Sequence, residues 1–195
     1  MKIALLQDQL LTRAGSERVF EYMIEAFPEA DIFTFCYNPK TTWPSYKNYK
    51  INTHFFGRFI KSHHLFKIFF PIIIFFMMSW NFRNYDLIIS SSATTSKYIK
   101  NFCGKHICYC YTPTRAIWFT NLYFKNFSFT KTIFLTLKPF LKYLDIHSAK
   151  RVDHFISISN VTKTNIKKIY KRDSFVIHAP VDDVFFKNNF TKNLK

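Results

Sequence analysis

The chain has 195 residues, 48% of them apolar, and a formal net charge of +16. That length houses one domain with a full core or two small ones, and that apolar content excludes a disordered chain. The charge is uneven: residues 1–95 carry 10 Lys and Arg against 7 Asp and Glu, and residues 96–195 carry 18 against 5. So basic a half points to nucleic acid, a membrane surface or a phosphorylated substrate, or else to a solvated face.

The first element, Lys2 to Leu6, is a short buried strand. It is too short for a signal-peptide core and is followed at once by Gln7 and Asp8. A loop runs to Ala14, and Gly15-Ser16-Glu17 opens a helix. Val19, Phe20, Met23, Ile24 and Phe27 recur at helical spacing, and Pro28 closes it. Asp31 to Tyr37 is the next strand, and Tyr49 to Phe55 a weak one. Phe56 to Trp80 is a basic, aromatic helical region. Its apolar run from Ile68 to Trp80 is interrupted at Pro71 and is shorter than the roughly 20 residues that span a bilayer. Basic residues beside aromatics suit an interfacial helix instead. Arg58, Lys61, Lys67, Phe69, Phe70, Phe75 and Phe76 are the expected membrane contacts. The alternative is that these rings pack under the sheet.

Asp86 to Ile89 is a strand ending in Ser90-Ser91-Ser92, and Ala93 to Phe102 a short helix. His106 to Tyr111 is a buried strand that breaks at Thr112-Pro113 and restarts as a helix at Arg115. Thr130 to Lys150 is helical, kinked or broken at Pro139. Phe155 to Ile158 is a strand, and Ser159-Asn160 caps the helix Val161 to Tyr170. Phe175 to Ile177 is the last strand, and the tail 186–195 is polar and loose. Apolar strands alternating with helices predict an α/β, Rossmann-like three-layer domain over 1–185, with a mostly parallel sheet of six or seven strands. Ligands of such sheets bind at the carboxyl ends of the strands.

The chemistry-bearing signals are sparse. The three glycines, Gly15, Gly57 and Gly104, form neither a dinucleotide fingerprint nor a P-loop. Gly15 either brings helix amides close to a phosphate or is a plain turn glycine. Asp8 and Glu17 are the carboxylates nearest the first sheet edge, and Glu17 could equally cap the helix. No CxxC pair exists among Cys36, Cys103, Cys108 and Cys110, so all four read as reduced core thiols. The seven histidines form no metal set. Nucleic-acid binding has charge alone in its favour, with no helix-turn-helix, RNA or zinc motif.

One resemblance spans nearly the whole chain. It is carried by Lys2-Ile3-Ala4-Leu5, Asp8, Leu11-Thr12, Gly15-Ser16-Glu17-Arg18-Val19, Phe27-Pro28 and Ala30-Asp31-Ile32. It continues through Tyr85-Asp86-Leu87-Ile88-Ile89-Ser90-Ser91-Ser92, His106 to Cys110, Thr112-Pro113, Arg115 and Trp118. Asp145, Ser148-Ala149, Arg151 to Ile156, Ser159, Tyr170, Asp173, Val176-Ile177 and Pro180-Val181-Asp182 complete it. In these blocks the chain resembles the N-terminal domain of glycosyltransferase family 4, retaining GT-B enzymes of bacterial surface-polysaccharide synthesis. The resemblance implies one half of a GT-B fold that binds a lipid-linked or saccharide acceptor. The nucleotide-sugar co-substrate would sit in a separate donor-binding domain or subunit, expected to be missing from this chain. No other cofactor and no metal is implied. It places Asp8 and Tyr111 as candidate catalytic residues, and Gly15, Ser16, Glu17, Ser91, Ser92, Thr112 and Arg115 as the acceptor- or phosphate-binding set.

Three departures accompany it. Ala14 stands where the family usually has glycine, Tyr111 where it has histidine, and Ala93 where a histidine often follows the serines. A tyrosine of ordinary pKa near 10 does not perform an imidazole's proton transfer at neutral pH. The expectation is therefore a cytoplasmic protein, peripheral at the inner face of the membrane and inactive by itself. A membrane-surface module that kept the fold and lost the chemistry is the alternative.

Overall fold

The computed structural model describes residues 1–120 and 129–181, those at 129–133 by their backbone alone; Asp182 and the expected tail lie outside them. Seven strands form one sheet: β1 (Ile3–Gln7), β2 (Asp31–Thr34), β3 (Ile51–Thr53), β4 (Leu87–Ser92), β5 (Lys105–Cys110), β6 (His154–Ser157) and β7 (Ser174–Val176). Their order is β3-β2-β1-β4-β5-β6-β7, and every pair is parallel. The helices are α1 (Gly15–Ala26), α2 (His63–Ile68), α3 (Phe70–Ser79), α4 (Arg115–Trp118), α5 (Phe129–Arg151) and α6 (Asn160–Tyr170).

The apolar strands need cover on both faces, and period-two alternation assigns the faces. In β1, Leu5 packs with Phe20 and Ile24 of α1. Ala4 and Leu6 point the other way, toward Ile73, Ile74 and Met77 of α3 and Leu141 and Leu144 of α5. Farther along, Cys108 and Cys110 pack with Phe155, Ile166 and Tyr170. Ser159 caps α6 as expected, accepting from the Thr162 amide at 3.2 Å.

Several expectations need correction. The helix expected over Ala93–Phe102 is a single 3₁₀ turn, Ser96–Tyr98, preceded by a loop whose four amides from Ala93 to Ser96 donate to the Asp8 carboxylate. The strand does end in the serine triplet as expected, with Ser90 to Ser92 paired to Cys108 to Cys110. The region Phe56–Trp80 is a 3₁₀ turn at Phe55–Phe59 followed by α2 and α3, with Phe69 at their junction. Pro71 sits in the first turn of α3, where its missing N–H costs no helical bond. Helix α5 runs unbroken through Pro139. Cys103 is exposed, unlike the other three thiols.

The aromatic segment divides between core and surface. Phe70 is 2% exposed and its ring lies 6.1 Å from that of Phe134, so it is core and not a membrane contact. Phe76 is half-buried, its ring stacked 3.9 Å from that of Phe56. Arg58, Lys61, Lys67, Phe69 and Phe75 are exposed. No helix among the described residues is long and apolar enough to cross a membrane.

Candidate functional site

The chain leaves β1 toward β2 and β3, then returns to place β4 on the other side of β1. The connections after β1 and β4 therefore diverge, and a crevice opens beyond the carboxyl ends of the strands. A cleft of about 1080 Å³ lies there. Gln7, Asp8, Gln9, Gly15, Ser16, Glu17, Tyr111, Thr112 and Arg115 line it, with His63 and Lys67 of α2.

Asp8 follows β1 directly and is 4% exposed. One of its oxygens accepts the Ala93 and Thr94 amides, both at 2.7 Å, and the other accepts those of Thr95 and Ser96, at 2.8 and 2.6 Å. Four converging amides are an anion nest, and this one is filled by the protein's own carboxylate. The geometry makes Asp8 the anchor of the loop after β4.

Tyr111 extends β5 by one residue. Its hydroxyl lies 2.9 Å from Ser91 Oγ and 3.1 Å from the Ser16 carbonyl oxygen, to which it donates. Burial pushes the phenol well above its ordinary value, with Ser91 partly opposing, so it stays protonated at neutral pH. Tyr111 thus ties α1 to the sheet. Ser91 and Ser92 are 0% and 1% exposed, and neither lines the cleft. Both lie within β4, paired to Tyr109 and Cys110, and so stand outside the cleft lining.

Helix α1 points its amino end at the cleft. Ala14, at the N-cap, offers no side-chain cap, so the amides of the first turn keep no such partner. Glu17 does not cap them either. It accepts the Thr12 hydroxyl at 2.7 Å and the Ser16 hydroxyl at 2.8 Å while 1% exposed. A Cβ built on Gly15 meets no atom within 4 Å, so this glycine keeps space open and is not required by its own backbone.

Arg115 is exposed at the start of α4. Among the described residues no hydrogen bond or ion pair engages its guanidinium. Helix α4 has only four residues, so its dipole adds little there. Thr112, half-buried beside it, also faces the cleft. The described residues contain no cluster of His, Cys, Asp and Glu able to hold a metal ion.

Gln7, Gln9 and His63 were not singled out by the sequence. Gln9 Nε2 lies 2.6 Å from His63 Nδ1. Burial, and then Lys67, push the His63 imidazole down, so it is neutral at pH 7. The Oε1 atoms of Gln7 and Gln9 are buried and have no partner among the described residues. The available signal was the polar triplet Gln7-Asp8-Gln9 where an apolar strand ends.

No family model matches the chain, and no curated protein does. The fold does have relatives among solved structures. Anabaena Alr3699/HepE in complex with UDP matches over 95% of this chain and 46% of its own, with a TM-score of 0.53 and 13% identity. HepE in complex with UDP and glucose gives the same coverage and TM-score at 14% identity. The likeness is one of fold, and the chain spans about half the length of the proteins it matches.

Proposed function

We propose that this domain is the acceptor-side half of a GT-B glycosyltransferase. In this reading it presents a lipid-linked or saccharide acceptor to a sugar carried on a nucleotide, and a second domain or subunit holds that nucleotide. The cleft at the switch point of the sheet carries the reading, because it gathers the amino end of α1, Thr112 and Arg115 on one wall. HepE, of like fold, binds UDP and glucose.

The division of labour follows from the residues. Sugar transfer from a diphosphate needs charge neutralised in a closed cleft. Arg115 and the first-turn amides of α1 supply positive potential for a phosphate of the acceptor or donor. Gly15 leaves room for it. Asp8 and Tyr111 hold the surrounding loops, and the Tyr111 phenol keeps its proton at neutral pH. This side alone orients an acceptor and does not turn over. The exposed Phe55, Phe59, Phe69 and Phe75 beside Arg58, Lys61 and Lys67 fit a membrane surface. That surface would deliver a lipid-linked acceptor at the cytoplasmic face.

The reading is tested by titrating the ¹⁵N-labelled chain with pyrophosphate and with UDP-glucose. Millimolar pyrophosphate should shift the Gly15 and Ser16 amides, and Arg115→Ala should weaken this about tenfold. UDP-glucose should bind no better than pyrophosphate. Micromolar UDP-glucose binding would show that the chain carries its own donor site, and unmoved Gly15 and Ser16 amides would remove the cleft as a phosphate site. Vesicle binding with no response to either probe would favour the membrane-surface module.

A further inference from the structure

Two of the three buried side-chain polar atoms that lack a partner among the described residues, Gln7 Oε1 and Gln9 Oε1, belong to residues that line the same cleft. Gln7 is 2% exposed and Gln9 9%. A buried amide oxygen without a partner is costly, so two of them on residues of one cavity wall call for a ligand. The third, His106 Nδ1, lies inside the sheet and away from the cleft.

Their position sets them apart from Thr112 and Arg115. Gln7 ends β1, and the segment after it leans toward β2, where the Leu10 amide donates to the Cys36 carbonyl at 2.9 Å. Thr112 and Arg115 follow β5, which lies beyond β4. Two strand spacings, about 10 Å, separate the end of β1 from the end of β5.

The chemistry names the ligand class. With His63 neutral and its Nδ1 accepting, Gln9 donates through Nε2 and its oxygen is left over. If the amide turns round, the nitrogen is left over instead. A hydroxyl satisfies either, since it both donates and accepts. Ionised phosphate only accepts, so it leaves Gln7 Oε1 and Gln9 Oε1 unmet.

We propose that Gln7 and Gln9 form a hydroxyl-reading subsite for one sugar ring of the acceptor, with His63 as the positioning residue that orients Gln9. The proposal rests on the cleft being the acceptor site.

The side-chain amide signals of Gln7 and Gln9 are followed in the ¹⁵N-labelled chain against a panel of methyl hexosides, and separately against pyrophosphate. At least one methyl hexoside should move both signals. Gln7→Leu and Gln9→Leu should each weaken that binding about tenfold, while the pyrophosphate shifts at Gly15 and Ser16 persist. His63→Ala should weaken sugar binding less than Gln9→Leu. Gln7→Leu should not lower the melting temperature, because it removes an unmet polar group, whereas Gln9→Leu also gives up the bond to His63 and should lower it; a Gln7 with a merely structural role would lose stability and leave sugar binding unchanged. If pyrophosphate binds and no hexoside moves either signal, the amides are met by water and the subsite falls while the cleft reading stands. If neither probe binds, both fall.

Discussion

His106 is fully buried in β5, with Nε2 2.8 Å from Ser90 Oγ. Burial drives its imidazole down to about 3, with Arg151 adding and Asp153 opposing. The folded state therefore holds the neutral ring, whereas the unfolded chain takes up a proton near pH 6.5. The sign follows: this stability is complete above about pH 6.5 and declines as pH falls toward 3. The slope approaches about 1.4 kcal/mol per pH unit. Urea unfolding at a series of pH values should show the decline between about 6.5 and 4.5, above the range in which carboxylates protonate. His106→Gln should flatten it. Equal slopes in the two proteins would place the titrating group elsewhere. The same residue had served at the sequence level only as part of an apolar strand.

Asp145 of α5 joins four elements beneath the cleft. Its carboxylate, 0% exposed, accepts from Tyr98 and Lys97 near the 3₁₀ turn, from Thr114 after β5, from Trp118 of α4 and from Tyr170 of α6. Burial pushes this carboxyl up, but Lys97 and the hydroxyl and indole donors outweigh it and hold it below its ordinary value. Its contribution to stability is present above about pH 4 and lost below. Asp145→Asn leaves the buried Lys97 ammonium without its counter-charge, and should cost about 3–5 kcal/mol in denaturant unfolding. Pairing Asp145→Leu with Lys97→Met should recover much of that loss. A single variant as stable as the wild type would show that the ion pair is not what joins these elements. Thr114 adjoins Arg115, so this network also holds the Arg115 side of the cleft in place. The sequence offered no role for Asp145, because its donors lie 25 to 48 residues away.

At the scale of the molecule, one surface combines charge and exposed rings. Phe55, Phe59, Phe69 and Phe75 are 61%, 71%, 42% and 49% exposed, and the Phe140 ring of α5 lies 6.2 Å from that of Phe75. Burying one such ring in an interface gains about 1.5–3 kcal/mol. Vesicles containing anionic lipid should therefore sediment the protein, and salt should weaken this only in part, since the apolar contribution is unscreened. Phe59→Ser with Phe75→Ser should lower the partitioning at least about tenfold. Complete release by moderate salt would reduce the interaction to charge.

The alternation of apolar runs with amphipathic segments was enough to determine the α/β class, the strands and the end of the sheet at which the cleft lies. Those features follow from local periodicity and chain connection, which a sequence displays directly. The fate of individual polar groups was decided in three dimensions. That Asp8 anchors a loop was not visible in the sequence, because residues 93–96 arrive there from 85 positions away or more. Phe69 and Phe70 are adjacent in sequence, yet one faces solvent and the other the core, because the junction of α2 and α3 falls between them. Gln7, Gln9 and His63 became a wall only when α2 packed beside the end of β1. Which hydrogen bonds a buried group lacks depends on every neighbour that folding brings to it, and that is a property of the packed structure.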